Sequence, residues 1–349
     1  MMRTCTLNLV VFAADQDEAD RLAVVIQELT ASHPNRTMMV VADPSATQAS
    51  LDAWVQANCL FTAPGQPQVC GEQVTIITHG ASGAQAAGLI LSLLLPDLPV
   101  IAYWPGALPF GDPIVLRLRS AFDRLIVDSA SLAKPLTGLA QLSAARSVVS
   151  GQGGFTLSDL HWARLTPWRE LIAQFFDTRA WLPHLHRLDD VEIVHNAQHG
   201  QAGLVAAFYM AAWLSTSLGW QLLDAPTTGQ GEAASVQLRR PAANGVRHDT
   251  RTVTIRVRAE AIDDDTTLVA LRLRALDYTL ATFSAEWNKD EHCVRTSAHI
   301  DDYAAVTRWA RIEEFTIGQL LAGELRLLSA DRTYTRVLEL AAQLAARMA

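Results

Sequence analysis

The hydrophobic pattern of this chain changes its period about half-way along. In the first half, apolar runs such as Thr4–Ala13 alternate with stretches whose apolar residues recur every three or four positions, as between Leu22 and Leu29. This alternation of strand and helix is typical of a sheet covered by helices. In the second half, runs such as Arg251–Glu260 alternate apolar and polar residues one by one, which indicates half-buried antiparallel strands.

This pattern predicts two domains of different class. We expect an α/β N-terminal domain with a mixed, largely parallel sheet, followed by an α+β domain with an antiparallel meander sheet. The length of 349 residues also favours more than one domain. We place the α/β domain at residues 1–155, a connecting segment and helix at 156–183, and the α+β domain at 184–349. A turn rich in Pro and Gly joins Val55–Thr62 to Val69–Thr78, which predicts a hairpin and therefore mixed pairing.

The clearest predicted helix is Leu165–Arg179. Thr166 is in a position to cap it, and Pro167 stands at the first helical position, where its missing N–H costs nothing. Helical periodicity also predicts helices at Thr307–Glu314 and Tyr334–Met348.

Charge and hydropathy exclude some partners. A net charge of −8 disfavours binding to a nucleic-acid backbone. The segment Asn196–Leu223 carries no Asp, Glu, Lys or Arg and is long enough to span a bilayer, but polar residues interrupt it and no basic cluster flanks it. A buried helix at about Gly203–Leu218, followed by a strand, fits it better. The N-terminus lacks the pattern of a signal peptide, so we expect a cytoplasmic protein without a membrane partner.

No metal or cofactor site is predicted. The four cysteines lie far apart and have no zinc-site spacing. His195 and His199 stand four residues apart, with His184 and His186 nearby, but Asn196 occupies the place of the glutamate in an HExxH motif. We interpret these histidines as cap or surface residues.

The turn Gly80-Ala81-Ser82-Gly83 follows a predicted strand and opens a predicted helix. Phosphate loops and nucleophile elbows occupy such places. Neither motif is complete, because the glycine spacing is not GxGxxG and Ala84 stands where an elbow needs glycine. The preferred interpretation is a tight turn with Ser82 as helix cap.

Arginines cluster on one face of the predicted second sheet. If the strands at 251–260 and 267–275 pair directly, that face carries Arg256, Arg258, Arg272 and Arg274. Like charges on neighbouring strands destabilise a sheet, so four arginines on one face need anionic groups to neutralise them. We favour carboxylates of the same chain, such as Asp301, Asp302, Glu313 or Glu314, or simple solvation of the arginines, over a partner surface or an anionic metabolite.

Six segments together resemble the OpcA family, the glucose-6-phosphate dehydrogenase assembly proteins. The most specific is Asp159-Leu160-His161-Trp162-Ala163-Arg164-Leu165-Thr166-Pro167-Trp168-Arg169-Glu170. The others are His33–Arg36, Cys70–Thr75, Asp97–Val100 running to Trp104-Pro105, Phe122–Ser129, and Ala212–Leu214 running to Leu218–Trp220.

The resemblance implies a protein that is not an enzyme, has no cofactor, and binds glucose-6-phosphate dehydrogenase to promote its assembly and raise its activity. The candidate partner-binding residues are Trp162, Arg164, Arg169 and Glu170 in the family segment, together with the four arginines of the second sheet. Trp168 belongs to the apolar face of its helix and is expected in the core. The alternative function is an α/β enzyme or binding protein for a sugar phosphate or nucleotide that uses the Gly80–Gly83 turn.

Overall fold

A computed structural model describes residues 5–43, 45–60, 69–149, 154–223, 227–228, 233–241, 252–276, 279–301, 305–327 and 329–348. The chain forms two units. The first contains residues 1–133, 141–163 and 315–331, and the second contains residues 134–140, 164–314 and 332–349. The boundaries drawn from the sequence at residues 155 and 183 remain a prediction.

The described elements follow one another along the chain in this order. Up to residue 185 they are β1 (Leu7–Ala13), α1 (Gln16–Ser32), β2 (Asn35–Asp43), β3 (Ser50–Leu60), β4 (Val69–His79), a 3-10 turn (Gly80–Ser82), α2 (Gly83–Leu93), β5 (Val100–Trp104), α3 (Pro113–Leu118), β6 (Arg124–Val127), a 3-10 turn (Ser129–Ser131), α4 (Pro135–Val149), β7 (Thr156–Asp159), α5 (Leu160–Arg164), α6 (Thr166–Phe175) and α7 (Leu182–Leu185). Then come β8 (Leu188–Asn196), a 3-10 turn (Ala197–His199), α8 (Gly200–Ser217), β9 (Gln221–Leu222), β10 (Thr227–Thr228), β11 (Ala233–Arg239), β12 (Thr252–Glu260), β13 (Leu268–Leu276), β14 (Leu280–Asn288), β15 (Cys293–Ile300), β16 (Val306–Ala310), α9 (Ile317–Leu325) and α10 (Arg332–Met348).

The first unit is built on a sheet of seven described strands in the order β3-β4-β2-β1-β5-β6-β7. All neighbours are parallel except β3 and β4, which form the predicted antiparallel hairpin. Every residue of β1 is buried, as expected for a central strand covered on both faces. Helix α1 packs its apolar face, with Leu22, Ile26 and Leu29, into the same core, and α9 packs against α1.

The start of α1 is fixed by its own carboxylates. Asp15 caps the helix as predicted, because its Oδ1 accepts a hydrogen bond of 2.8 Å from the Glu18 N–H. The Glu18 carboxylate reaches back and accepts 2.7 Å from the Ala14 N–H. The reciprocal bond thus goes to the residue before the cap, and two backbone donors at this end are satisfied by acidic side chains.

The second unit is built on a mostly antiparallel sheet in the order β10-β11-β12-β8-β13-β14-β15-β16, with β9 paired to β11. Within it, β8 and β12 are parallel. Helix α8 packs on β8, β12 and β13, and α10 packs on α8. The buried helix and short strand predicted for 203–223 are confirmed as α8 and β9. The predicted fold class is confirmed for both parts of the chain.

Three local predictions are wrong. The strands β12 and β13 do not pair directly, because β8 lies between them and pairs with both. The helix predicted at Thr307–Glu314 is instead β16, whose pairing with β15 outweighs the local helical period. Thr166 does not cap α6, because α5 leads into it through Leu165 in the helical region (φ −84°), and the helix ends at Phe175.

Candidate functional site

A cavity of about 560 Å³ opens in the first unit, at the carboxyl ends of β1, β2, β4 and β5. Beyond β1 the chain runs to β2 and β4 on one side of the sheet and then crosses to β5 on the other. Crevices at such a change of direction are where open α/β sheets bind ligands. The lining includes Phe12, Glu18, Thr78, Gly80, Trp104 and Arg117.

The Gly80–Gly83 turn forms part of this cavity wall, and its serine has a structural role. Gly80 has φ +58°, and a Cβ there would lie 2.9 Å from the Ala46 carbonyl oxygen, so only glycine fits. The Ser82 hydroxyl is fully buried, 2.8 Å from both the Ser50 and the His79 carbonyl oxygens. Ser82 does stand at the N-cap position of α2, but its hydroxyl makes no capping hydrogen bond to the helix. A hydroxyl held in this way is not presented to a substrate.

The family segment places its side chains in different environments. Trp162 is buried, and its Nε1–H donates a hydrogen bond of 2.9 Å to Asp331 Oδ2 within the first unit. In the second unit, Trp168 is buried as expected, whereas Arg164 and Arg169 are half-buried and Glu170 is exposed. The Arg169 guanidinium donates 2.8 Å to the Thr166 hydroxyl.

The four arginines of the second sheet do share one face, but acidic residues of β8 lie between them. In the strand register, Glu192 stands opposite Arg256 on one side and Arg272 on the other. Asp190 likewise stands opposite Arg274. Strand β8, with its acidic side chains, therefore lies between the two strands β12 and β13 that carry the arginines.

Each arginine of this face pairs with carboxylates of the same chain. Asp301, Glu313 and Glu314, named from the sequence, are not the partners in any described ion pair of these arginines, and Asp302 lies outside the described residues. The charged face, as we call it, comprises Asp189, Asp190, Glu192, Arg256, Arg258, Glu260, Arg272, Arg274, Glu286 and Arg295.

The charged face is internally neutralised and half exposed. Glu286 accepts hydrogen bonds of 2.7 Å from Arg272 and 2.8 Å from Arg295. Burial alone would raise the pKa of Glu286, but these hydrogen bonds lower it overall. On the neighbouring strand β16, Trp309 stands opposite Arg295. The Trp309 side chain is 56% exposed. A large exposed aromatic side chain beside paired charges is the composition of many protein interfaces.

The histidines do not form a metal site in the described part of the chain. No group of three His, Cys, Asp or Glu side chains there is arranged to hold a metal ion. His195 is buried at the end of β8, and burial lowers the pKa of its imidazole. Gly203 in α8 approaches this ring so closely that a Cβ would lie 2.8 Å from His195 Nδ1.

Two family models match this chain along most of its length. The model described as the glucose-6-phosphate dehydrogenase subunit N-terminal domain matches residues 10–144, and that of the C-terminal domain matches residues 156–338. The chain belongs to the OpcA family of glucose-6-phosphate dehydrogenase assembly proteins. The resemblance inferred from the Asp159–Glu170 segment is therefore confirmed.

Two OpcA relatives carry the name "Putative OxPP cycle protein OpcA". The one from Nostoc punctiforme is 26% identical over 71% of this chain and 52% of its own length. The one from Synechocystis is 30% identical over 56% of this chain and 39% of its own length. The chain thus spans about half the length of these relatives or less.

The fold also resembles a solved structure with little sequence in common. A crystal structure described as an NAD binding oxidoreductase from Klebsiella pneumoniae aligns over 99% of this chain and 96% of its own, with a TM-score of 0.54 and 8% identity. At this identity the likeness concerns the fold alone.

None of the described helices is long and apolar enough to cross a membrane.

Proposed function

We propose that this OpcA-family chain is a non-catalytic assembly factor and allosteric activator of glucose-6-phosphate dehydrogenase in the cytoplasm. The observation that carries the proposal is the match of both dehydrogenase-subunit models, over residues 10–144 and 156–338. The buried, backbone-bonded Ser82 hydroxyl weakens the alternative of an enzyme that uses the Gly80–Gly83 turn.

The charged face and Trp309 are the proposed contact surface for the dehydrogenase. Arg256, Arg258, Arg272 and Arg274 form ion pairs within the chain, so we expect them to position a polar surface rather than attract the partner from a distance. In the family segment, exposed Glu170 is the proposed contact. Trp162 is buried and hydrogen-bonded, which supports a structural role for it. Arg164 and Arg169 are half-buried and leave only part of their surface for a contact.

An activator without catalytic groups acts by binding one state of its partner more tightly than the others. Coupling must then be reciprocal. If the chain lowers the dissociation constant of the dehydrogenase for glucose 6-phosphate, saturating glucose 6-phosphate must tighten binding of the chain by the same factor, typically ~5 to 150-fold.

The test uses the purified chain and the dehydrogenase from the same organism. Sedimentation velocity measures the oligomeric state of the dehydrogenase with and without the chain. Equilibrium titrations measure the affinity of the chain with and without saturating glucose 6-phosphate. We expect a shift to the larger assembly and equal coupling factors in both directions. Unchanged assembly and unchanged dehydrogenase kinetics at saturating chain would overturn the proposal.

A further inference from the structure

The cavity in the first unit has the size and the wall chemistry of a small-molecule site. Its volume of about 560 Å³ lies within the ~300 to 1,000 Å³ usual for ligand pockets. Most of the side chains around it are apolar or small, and the rings of Phe12 and Trp104 lie 4.2 Å apart at an angle of 30°. A wall of this kind suits a flat heteroaromatic ring better than a sugar, whose hydroxyl groups need many polar partners.

One lining residue supplies an available positive charge. Arg117 on α3 is exposed, and the described part of the chain places no carboxylate within ion-pair distance of it. An arginine with free N–H donors recognises a phosphate through paired hydrogen bonds. The two carboxylates that line the cavity accept backbone hydrogen bonds, Glu18 from the Ala14 N–H and Asp112 from the N–H groups at the start of α3. An anionic group of a ligand would therefore pair with Arg117, and an aromatic ring would lie on the apolar wall.

The start of α1 argues against a dinucleotide. Nucleotide sites of this topology place a pyrophosphate on the N–H groups at the start of the first helix, after a glycine-rich turn. Here the residues before the helix are Ala13, Ala14 and Asp15, and the N–H groups of Ala14 and Glu18 are bonded to carboxylates. Asp17 adds a further negative charge in the same turn. A pyrophosphate there would lie against the Asp15, Asp17 and Glu18 carboxylates, and the Glu18 N–H is already bonded to Asp15.

We propose that this cavity binds a nucleoside monophosphate, with its base beside Trp104 and its phosphate on Arg117. The site is independent of the dehydrogenase contact proposed above. It lies wholly within the first unit, so the chain alone suffices to test it.

The experiment is isothermal titration of the folded chain with AMP, GMP and UMP, and with three comparison ligands. Adenosine lacks the phosphate, glucose 6-phosphate lacks the base, and NADP⁺ carries the pyrophosphate. We expect saturable binding of at least one mononucleotide, ~10-fold tighter than its nucleoside, because the phosphate adds charge-assisted hydrogen bonds to Arg117. Glucose 6-phosphate and NADP⁺ should bind more weakly than the mononucleotide.

Two variants locate the ligand. Arg117→Met should reduce the affinity for the mononucleotide to that for the nucleoside and leave nucleoside binding unchanged, whereas Arg119→Met, at an exposed position just after the same helix, should change neither. Ala84→Trp, at an exposed lining position, should abolish both, whereas Leu91→Trp, exposed on the same helix outside the lining, should not. Lack of saturable mononucleotide binding, tighter binding of NADP⁺ or glucose 6-phosphate, or unchanged binding by Ala84→Trp would each overturn the proposal.

Discussion

Arg124 Nη1 lies 3.5 Å from Glu324 Oε2, although 200 residues separate them along the chain. The two side chains are only 5% and 10% exposed. The same guanidinium donates to the Ser158 hydroxyl and to the carbonyl oxygens of Leu327 and Ser329. Burial raises the pKa of the Glu324 carboxyl and lowers that of the Arg124 guanidinium. This cluster fixes the end of α9 and the segment that follows it to Arg124, the first residue of β6.

Arg124→Met is expected to destabilise the protein by ~3 to 5 kcal/mol, because it leaves the buried Glu324 carboxyl without its ion-pair partner and two carbonyl oxygens without their donor. The control is Lys289→Met, which removes an exposed pair with Asp263 at 3.7 Å and should cost about 0 to 1 kcal/mol. Urea unfolding measures both. An equal loss of unfolding free energy in both variants would show that the buried cluster contributes no more to stability than an exposed ion pair.

Gly203→Ala is expected to destabilise the protein by roughly 1 to 3 kcal/mol, although alanine is the better helix former. Its Cβ would lie 2.8 Å from the Asn196 carbonyl oxygen and from His195 Nδ1. Gly88→Ala in α2 is the matched control, because nothing lies within 4 Å of the added atom. It should stabilise by about 0.5 to 1 kcal/mol. A shift of the melting temperature in the same direction for both variants would contradict this account.

The stability of the protein should depend on pH through His195. Burial lowers its pKa below the ordinary value of 6.5, so the unfolded chain takes up the proton first as the pH falls. The contribution of neutral His195 is complete above pH 6.5 and is lost as the pH falls through that value towards the folded pKa. His195→Gln should flatten the pH dependence of the unfolding free energy between about pH 7 and pH 5. At pH 8, where His195 is neutral, the difference in unfolding free energy between the wild type and His195→Gln measures the loss of packing alone. If the variant kept the wild-type pH dependence between about pH 7 and pH 5, the assignment to His195 would be wrong.

Trp309→Ala should weaken binding to the dehydrogenase by about 30-fold, the size of an interface hot spot, with little effect on folding because the side chain is 56% exposed. Trp54→Ala is the matched control, an exposed tryptophan on β3 of the first sheet. Surface plasmon resonance at low and high salt checks this. Because the charged face is internally neutralised, the association rate should vary little with salt. Equal loss in both variants would place the contact elsewhere.

Elements whose cause is local could be predicted from the sequence. The cap at Asp15 and the buried helix α8 depend on neighbours a few residues away. Strand β8 could not, because Asp190 and Glu192 break its apolar pattern and their partners Arg256 and Arg272 are far along the chain. Strand β16 has no buried face to produce an alternating pattern.

Of the cavity in the first unit, only the Gly80–Gly83 turn could be predicted from the sequence, for a related reason. Trp104 and Arg117 belong to no recognisable ligand-binding motif and lie further along the chain. The cavity arises where β1, β4 and β5 end side by side, and sequence spacing does not contain that arrangement.

The return of residues 315–331 to the first unit has a consequence for biosynthesis. While the ribosome adds the 200 residues between Arg124 and Glu324, the nascent first unit lacks α9 and the acceptors of that guanidinium. At ~5 to 20 residues per second this interval lasts roughly 10 to 40 s. The core of the first unit is therefore complete only after residues 315–331 have been synthesised. Nascent chains halted before residue 315 should be more sensitive to protease than full-length chains.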